Sequence, residues 1–237
     1  MSKFFTYDIN PPVDFHIGPI PVTRTVTMTW VVMGILIIFA LLVRRQLTRG
    51  RTGGLRTIFE ALMVYLDGEI RDIVRRPPAA YFPLIATLFI FILVANLVSA
   101  VPRMRPPTAD IACAGALALV VFIAVPFYGI RERGLFGYLK AYFQPVWIML
   151  PFNVIGEVSR TLAMTVRLFG NIMSGAVIVG VLVFVGGIAA APIGMLGLLT
   201  GLIQAYIFAI LTMVYIGGAV RAAQRKKERD GDVKKGA

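Results

Sequence analysis

The sequence predicts an all-α integral membrane protein, with about five membrane-crossing helices plus one amphipathic helix on the membrane surface, the last two crossings long and strongly tilted. Three observations carry this reading. Of 237 residues, 58% are hydrophobic and 15% charged, with a mean hydropathy of +0.80, a balance outside the usage of soluble domains. Apolar runs of about 20 residues, the length that spans a bilayer as a helix, recur along the chain. Finally, Arg167 precedes 53 residues, Leu168 to Val220, that contain no Asp, Glu, Lys, Arg or His. A permanent cation thus stands beside an apolar stretch long enough to cross a bilayer twice.

The elements follow in order. Residues 1–25 are polar and Pro-rich, with no secretory signal, and form an expected N-terminal arm on the outer side. A single membrane domain, 26–220, follows. Its crossings are expected at 26–43, 82–101, 111–130, 146–187 and 192–220, each an apolar run bounded by charge, Pro or Gly. The break between the last two is Gly186-Gly187-Ile188-Ala189-Ala190-Ala191-Pro192, a turn signal. Residues 56–76 differ in kind. Ile58, Leu62, Tyr65/Leu66 and Ile70 repeat at helical spacing while Glu60, Asp67, Glu69, Arg71 and Asp72 fall mostly elsewhere, the pattern of a helix lying in the interface. Residues 221–237 read as a hydrophilic, basic cytoplasmic tail, the kind of terminus expected to be mobile.

Length and charge set the arrangement. As one helix, Pro145 to Gly187 extends about 64 Å and Pro192 to Val220 about 43 Å at 1.5 Å per residue, against a hydrocarbon thickness of about 30 Å. The segment therefore breaks, near Pro151 or Gly170, or the pair lies steeply inclined. Five crossings separate the termini. They place 18 of the 24 Lys and Arg on one side and four on the other, with Arg160 and Arg167 in the membrane. The positive-inside rule then puts the N-terminus outside and the C-terminus in the cytoplasm.

Several function classes lack their parts. The net charge of +12 comes from basic residues flanking apolar runs, which fits a membrane and not a nucleic acid. The single cysteine, Cys113, lies within an apolar run, and the single histidine, His16, lies in the N-terminal arm. No disulfide, metal centre or His-based triad can be assembled in the membrane domain from these. There is no phosphate-binding loop or dinucleotide fingerprint, so a non-catalytic chain without cofactor or metal is expected.

What remains is charge handling. Positions 153, 157, 160, 164, 167, 171 and 174 step by four and three and define one helix face. They hold Asn153, Glu157, Arg160, Met164, Arg167, Asn171 and Ser174. A polar stripe in a membrane helix faces protein or water, and it also serves as adhesive between helices. The following helix has a sparser polar face of Thr200, Gln204, Thr212 and Tyr215, with Gly197 and Gly201 allowing close approach. Gln204 is the natural partner of Arg167, because its amide oxygen accepts from the guanidinium without neutralising it. A purely structural glutamine fits equally well.

Arg167-Leu168-Phe169-Gly170-Asn171 resembles the RLFGN signature of subunit a of the F-type ATP synthase membrane sector. The likeness continues at Gln204-Ala205-Tyr206-Ile207-Phe208 and Leu211-Thr212-Met213-Val214-Tyr215. It also covers Leu150-Pro151-Phe152-Asn153, Thr108-Ala109-Asp110, and Pro83-Leu84 through Asn96-Leu97. These extend in order over roughly residues 80–220. The resemblance implies a membrane stator facing a rotating ring of c subunits and held by the b subunits of a peripheral stalk. It implies a place in an energy-coupling membrane, most simply the bacterial inner (plasma) membrane. Two offset half-channels would bring ions to the ring carboxylates and carry them away. Arg167 matches the family's essential arginine, Gln204 its partnering glutamine and Asn171 its signature asparagine.

Further expectations rest on that resemblance. Asp110, Asn96 and Ser99 would border the outer half-channel, and Glu157, Asn153 and Arg160 the cytoplasmic one. Ser174 and Tyr215 complete the expected ion-translocation set, and Glu157 and Arg160 are i,i+3 neighbours able to pair. The chain departs from the pattern at Ala176 and Gly197, where many relatives carry an acidic or another ionisable residue. Protons are the first expectation for the coupling ion, with sodium as the alternative. A secondary transporter for an anion and a non-conducting assembly subunit are the competing classes. The first of these usually shows inverted repeats, and none is evident.

Overall fold

The computed structural model describes residues 13–17, 20–48, 54–75, 77–99, 106–135, 137, 149–185 and 190–235. Among the described residues there are six long helices: α1 (Arg24–Thr48), α2 (Gly54–Val74), α3 (Phe82–Val98), α4 (Ile111–Arg133), α5 (Met149–Val185) and α6 (Ala190–Lys235). Short 3-10 turns at Pro78–Ala80 and Pro107–Ala109 lead into α3 and α4. Three stretches among the described residues are long and apolar enough to cross a membrane: Arg24–Gln46, Ile111–Glu132 and Gly194–Val220. Phe82–Val98 is a shorter apolar helix. The turn expected at Gly186–Pro192 and the crossing ends at 100, 101, 146–148, 186 and 187 lie outside or partly outside the described residues.

Two differences from the sequence reading, and one choice between its alternatives, have physical reasons. First, the N-terminal arm holds two strands in a fold expected to be all-α. Val13–Ile17 (β1) and Ile20–Thr23 (β2) pair as an antiparallel hairpin, so the fold is helical with one small ribbon. Second, of the break and the inclination left open by the sequence, the break is absent: α5 runs unbroken for 37 residues through Pro151 and Gly170. Pro151 stands in the first turn, where its missing N–H has no helical acceptor to lose. Third, α6 continues through the basic segment to Lys235. Ala, Gln, Arg, Lys and Glu are strong helix formers, and no proline interrupts them.

The core lies where α6 meets α2, α3, α4 and α5. On α6 the buried apolar side chains are Ala205, Phe208, Ala209, Met213, Ile216 and Val220, a stripe at i, i+3/i+4 spacing. Against it stand Leu66, Ile70 and Val74 of α2, Ile85, Phe89 and Ile92 of α3, Ala114 and Val121 of α4, and Met164 and Leu168 of α5. Helix α1 is peripheral. It buries Val32 against Ala95 and Val98 of α3, while Trp30, Met33, Ile37, Ile38 and Leu41 stay exposed, as lipid-facing residues must.

The amphipathic helix is used differently from expectation. The face of α2 formed by Leu66, Ile70 and Val74 is fully buried on this chain itself, whereas Ile58 and Val64 remain about 70% exposed. Two points fix its course along α6. Tyr65 Oη donates to Tyr206 Oη at 3.0 Å, and a Cβ on Gly217 would sit 3.4 Å from Val74 Cα. Helix α2 therefore runs beside α6 in the same direction for some nine of its residues, about 14 Å.

Helix ends are set by local chemistry. Asp110 caps α4, its Oδ1 accepting from the Ala112 N–H at 3.0 Å. Gly134 ends the helix at φ +72°, its N–H donating to the Ile130 carbonyl at 2.7 Å, the left-handed conformation glycine tolerates best. Arg75 does the same for α2 at φ 57° without that freedom.

Candidate ion-handling site

Helix α5 carries the polar stripe and α6 returns beside it. Two contacts across this antiparallel hairpin fix the register. Asn171 Nδ2 donates to the Thr200 carbonyl at 3.4 Å, and the Arg160 guanidinium carbon lies 5.3 Å from the centroid of the Tyr215 ring. Arg167 falls between Arg160 and Asn171, so it stands level with the Gln204–Phe208 stretch of α6. The two residues that sequence alone proposed as partners are thus brought to one level. No hydrogen bond joins them among the described residues.

Their surroundings differ sharply. Gln204 is 5% exposed, and its Nε2 is buried without an acceptor among the described residues. Arg167 is exposed within this chain and makes no ion pair among the described residues. Around it, α5 and α6 leave large apolar side chains uncovered, among them Leu162 and Val166 and, across the hairpin, Leu199, Leu202 and Ile203. The hairpin therefore presents a fixed cation together with apolar surface. Lipid alone satisfies the second and not the first.

The other stripe residues divide. Met164 is buried in the core. Asn153 and Glu157 are half-buried. Ser174 is exposed, its Oγ donating to the Asn171 carbonyl at 3.1 Å.

Asn96 reaches the same level of α6 from α3. It is 4% exposed, and its Nδ2 donates to the Gly201 carbonyl at 2.7 Å. Glycine is required there for close approach, since a Cβ on residue 201 would stand 3.0 Å from Asn96 Cβ. Gly197, expected to play the same part, meets nothing within 4 Å. Two asparagines from different helices thus bond successive carbonyls of α6, one turn before Gln204. Ser99 stands at the C-cap of α3 with its Oγ on the Asn96 carbonyl at 2.5 Å.

Asp110 has both oxygens engaged, Oδ1 as the α4 cap and Oδ2 accepting from Thr25 Oγ1 at 2.7 Å. It ties the start of α1 to the start of α4. The sequence reading missed this tether and the Tyr65–Tyr206 bond, which join residues 85 and 141 apart in sequence. No periodicity signals such pairs. No group of His, Cys, Asp or Glu suited to a metal occurs among the described residues.

Comparison with known proteins agrees with this geometry. A family model described as ATP synthase A chain matches residues 26–217. ATP synthase subunit a 2 of Acaryochloris marina (strain MBIC 11017) is 44% identical over 227 residues, covering 92% of this chain and 94% of the relative. ATP synthase subunit a 2 of Bradyrhizobium sp. (strain BTAi1 / ATCC BAA-1182) is 44% identical over 207 residues, 87% of this chain and 92% of its own. ATP synthase subunit a 1 of Prosthecochloris aestuarii (strain DSM 271 / SK 413) is 45% identical over 210 residues, 86% and 93% respectively. With near full-length matches on both sides and the RLFGN arginine set level with its glutamine, this chain is an integral membrane protein that belongs to the subunit a family of the F-type ATP synthase membrane sector.

Proposed function

We propose that this chain is the ion-conducting stator of a rotary ATP synthase, with Arg167 as the fixed cation past which the carboxylates of a c-subunit ring move. The observation that carries the reading is the uncovered guanidinium of Arg167, level with Gln204, in a hairpin otherwise free of charge from Leu168 to Val220. A carboxylate arriving beside it is held deprotonated, or stripped of its cation, because the opposite charge favours the anion. The attraction is about 4 kcal/mol at 4 Å for an effective dielectric of 20, close to the insertion cost of an arginine at about 2.5–3.5 kcal/mol. The pair therefore forms and parts without becoming a trap. The same field repels cations that would leak past the ring.

The two routes follow from the placement of polar groups. The outer half-channel runs by Asn96 and Ser99, with Asp110 as a post at its rim. The cytoplasmic one runs by Asn153, Glu157, Arg160 and Tyr215, and Asn171 and Ser174 lie toward the outer side of Arg167. Five crossings with the N-terminus outside keep most basic residues in the cytoplasm of a bacterial inner membrane, and b subunits and lipid cover the remaining apolar surface. The course of α2 supports the tilt. A helix lying in the membrane surface and running beside α6 for about 14 Å requires α6 to incline toward that surface. Likewise α5, about 55 Å long as a continuous helix, fits a core of about 30 Å only when steeply inclined.

The test is Arg167→Ala in the whole complex reconstituted in vesicles. Assembly should be retained and ATP-driven ion transport lost. Continued transport sinks the proposal, and failure to assemble favours a purely structural subunit. Measuring wild-type transport with and without sodium decides between protons and sodium as the coupling ion.

A further inference from the structure

Arg160 and Arg167 lie seven residues apart on one face of α5, about 10.5 Å along its axis. Both are exposed within this chain, and neither can shed its charge. A carboxylate travelling past α5 would meet two cations of equal strength unless something separates them. Two such sites in succession would hold the carboxylate twice, and the second hold would compete with the transfer made at the first.

The hairpin supplies the separation. Arg160 lies over the Tyr215 ring at 5.3 Å, within the range in which the negative face of an aromatic ring attracts a guanidinium. Arg167 has neither an ion pair nor a ring contact among the described residues. Tyr215 shares a face of α6 with Gln204, eleven residues or three turns away, so the same helix face that stands level with Arg167 carries the ring that engages Arg160. The ring also leaves Arg160 charged, so its field in the cytoplasmic route persists while its donors turn toward α6.

Resting on the stator reading above, we propose that Tyr215 is a positioning residue: its ring parks Arg160 against α6 and leaves Arg167 as the one cation offered to the passing carboxylate. The ring face is what acts, and the hydroxyl is dispensable. Without the ring, Arg160 swings free and holds the carboxylate two turns away from its transfer point.

The experiment is a double-mutant cycle on ATP-driven ion transport by assembled complexes in vesicles. Y215L should lower transport about tenfold in the wild-type background and by no more than about twofold in the R160A background. Y215F should transport severalfold better than Y215L, because phenylalanine keeps the ring face. Equal losses in both backgrounds, or no loss in either, overturn the proposal, since Tyr215 then only fills space. If Y215L does not assemble, assembly of Y215L/R160A supports the proposal and its failure overturns it. The stator reading fails separately, through transport by the Arg167→Ala complex.

Discussion

Asp110 offers the sharpest separation of structure from conduction. Its carboxylate caps α4 through the Ala112 N–H and holds α1 through the Thr25 hydroxyl. Loss of an N-cap costs about 0.5–2 kcal/mol, and a hydrogen bond to a charged acceptor contributes about 1.5–3 kcal/mol. Asp110→Ala should therefore cost about 3 kcal/mol, near the middle of the combined range, because the Thr25 hydroxyl can turn to another acceptor. Asp110→Asn should cost about 1 kcal/mol or less, because asparagine caps as well as aspartate and its amide can donate to the Thr25 oxygen. The assay is thermal melting of the detergent-solubilised complex, read as release of this chain, with vesicle transport in parallel. At about 2–4 °C per kcal/mol for a chain of this size, the alanine variant should melt about 6–12 °C early. Transport by the asparagine variant should stay close to wild type. The reasoning is refuted if alanine melts within about 2 °C of wild type, or if asparagine falls as far as alanine. A stable asparagine variant that cannot transport would make the charge itself part of the outer route.

Two further outcomes follow from α2. The Tyr65 phenol is held above its ordinary range, first by the bond to Tyr206, then by burial and by Glu69. A raised value means that its contribution to stability is complete below pH 10 and is lost only as pH climbs beyond the usual phenol range. Tyrosinate absorbance should show Y206F returning Tyr65 toward ordinary titration, and an unchanged curve would rule out the link. Arg75→Gly removes a side chain from a left-handed position at φ 57°, which should stabilise the complex by about 0.5–1 kcal/mol after allowing for the looser unfolded chain. An earlier melt would show that Arg75 earns its place through a contact.

What was legible in the sequence was whatever composition and period determine. The uninterrupted apolar runs marked α1, α3 and α4 as helices, and the absence of charge after Arg167 marked the hairpin. Less was visible where the outcome depends on what lies opposite. Ile58 and Leu66 belong to one apolar face in sequence, yet Leu66 is buried on α6 and Ile58 faces outward, because only part of α2 meets a neighbour. Gln204 and Arg167 were paired by chemistry, whereas the fold sets them level and buries one of them. Arg160 lies over Tyr215 through a hairpin register that no single-helix pattern contains. The N-terminal ribbon escaped notice because strands of five and four residues are shorter than any reliable alternation.

The loose seating of α1 bears on how the chain is made. Among the described helices this one is translated first, but its docking surfaces on α3 and at Asp110, namely Ala95, Val98 and the Asp110 carboxylate, follow their α1 partners by 63 to 85 residues. Until then it must survive as a solitary span. Its outward ring of Trp30, Ile37, Ile38 and Leu41 suits that wait, since lipid tails accept such side chains on every side. Thr25, Val32, Phe39 and Val43 then meet partners, so the early helix closes on segments made after it.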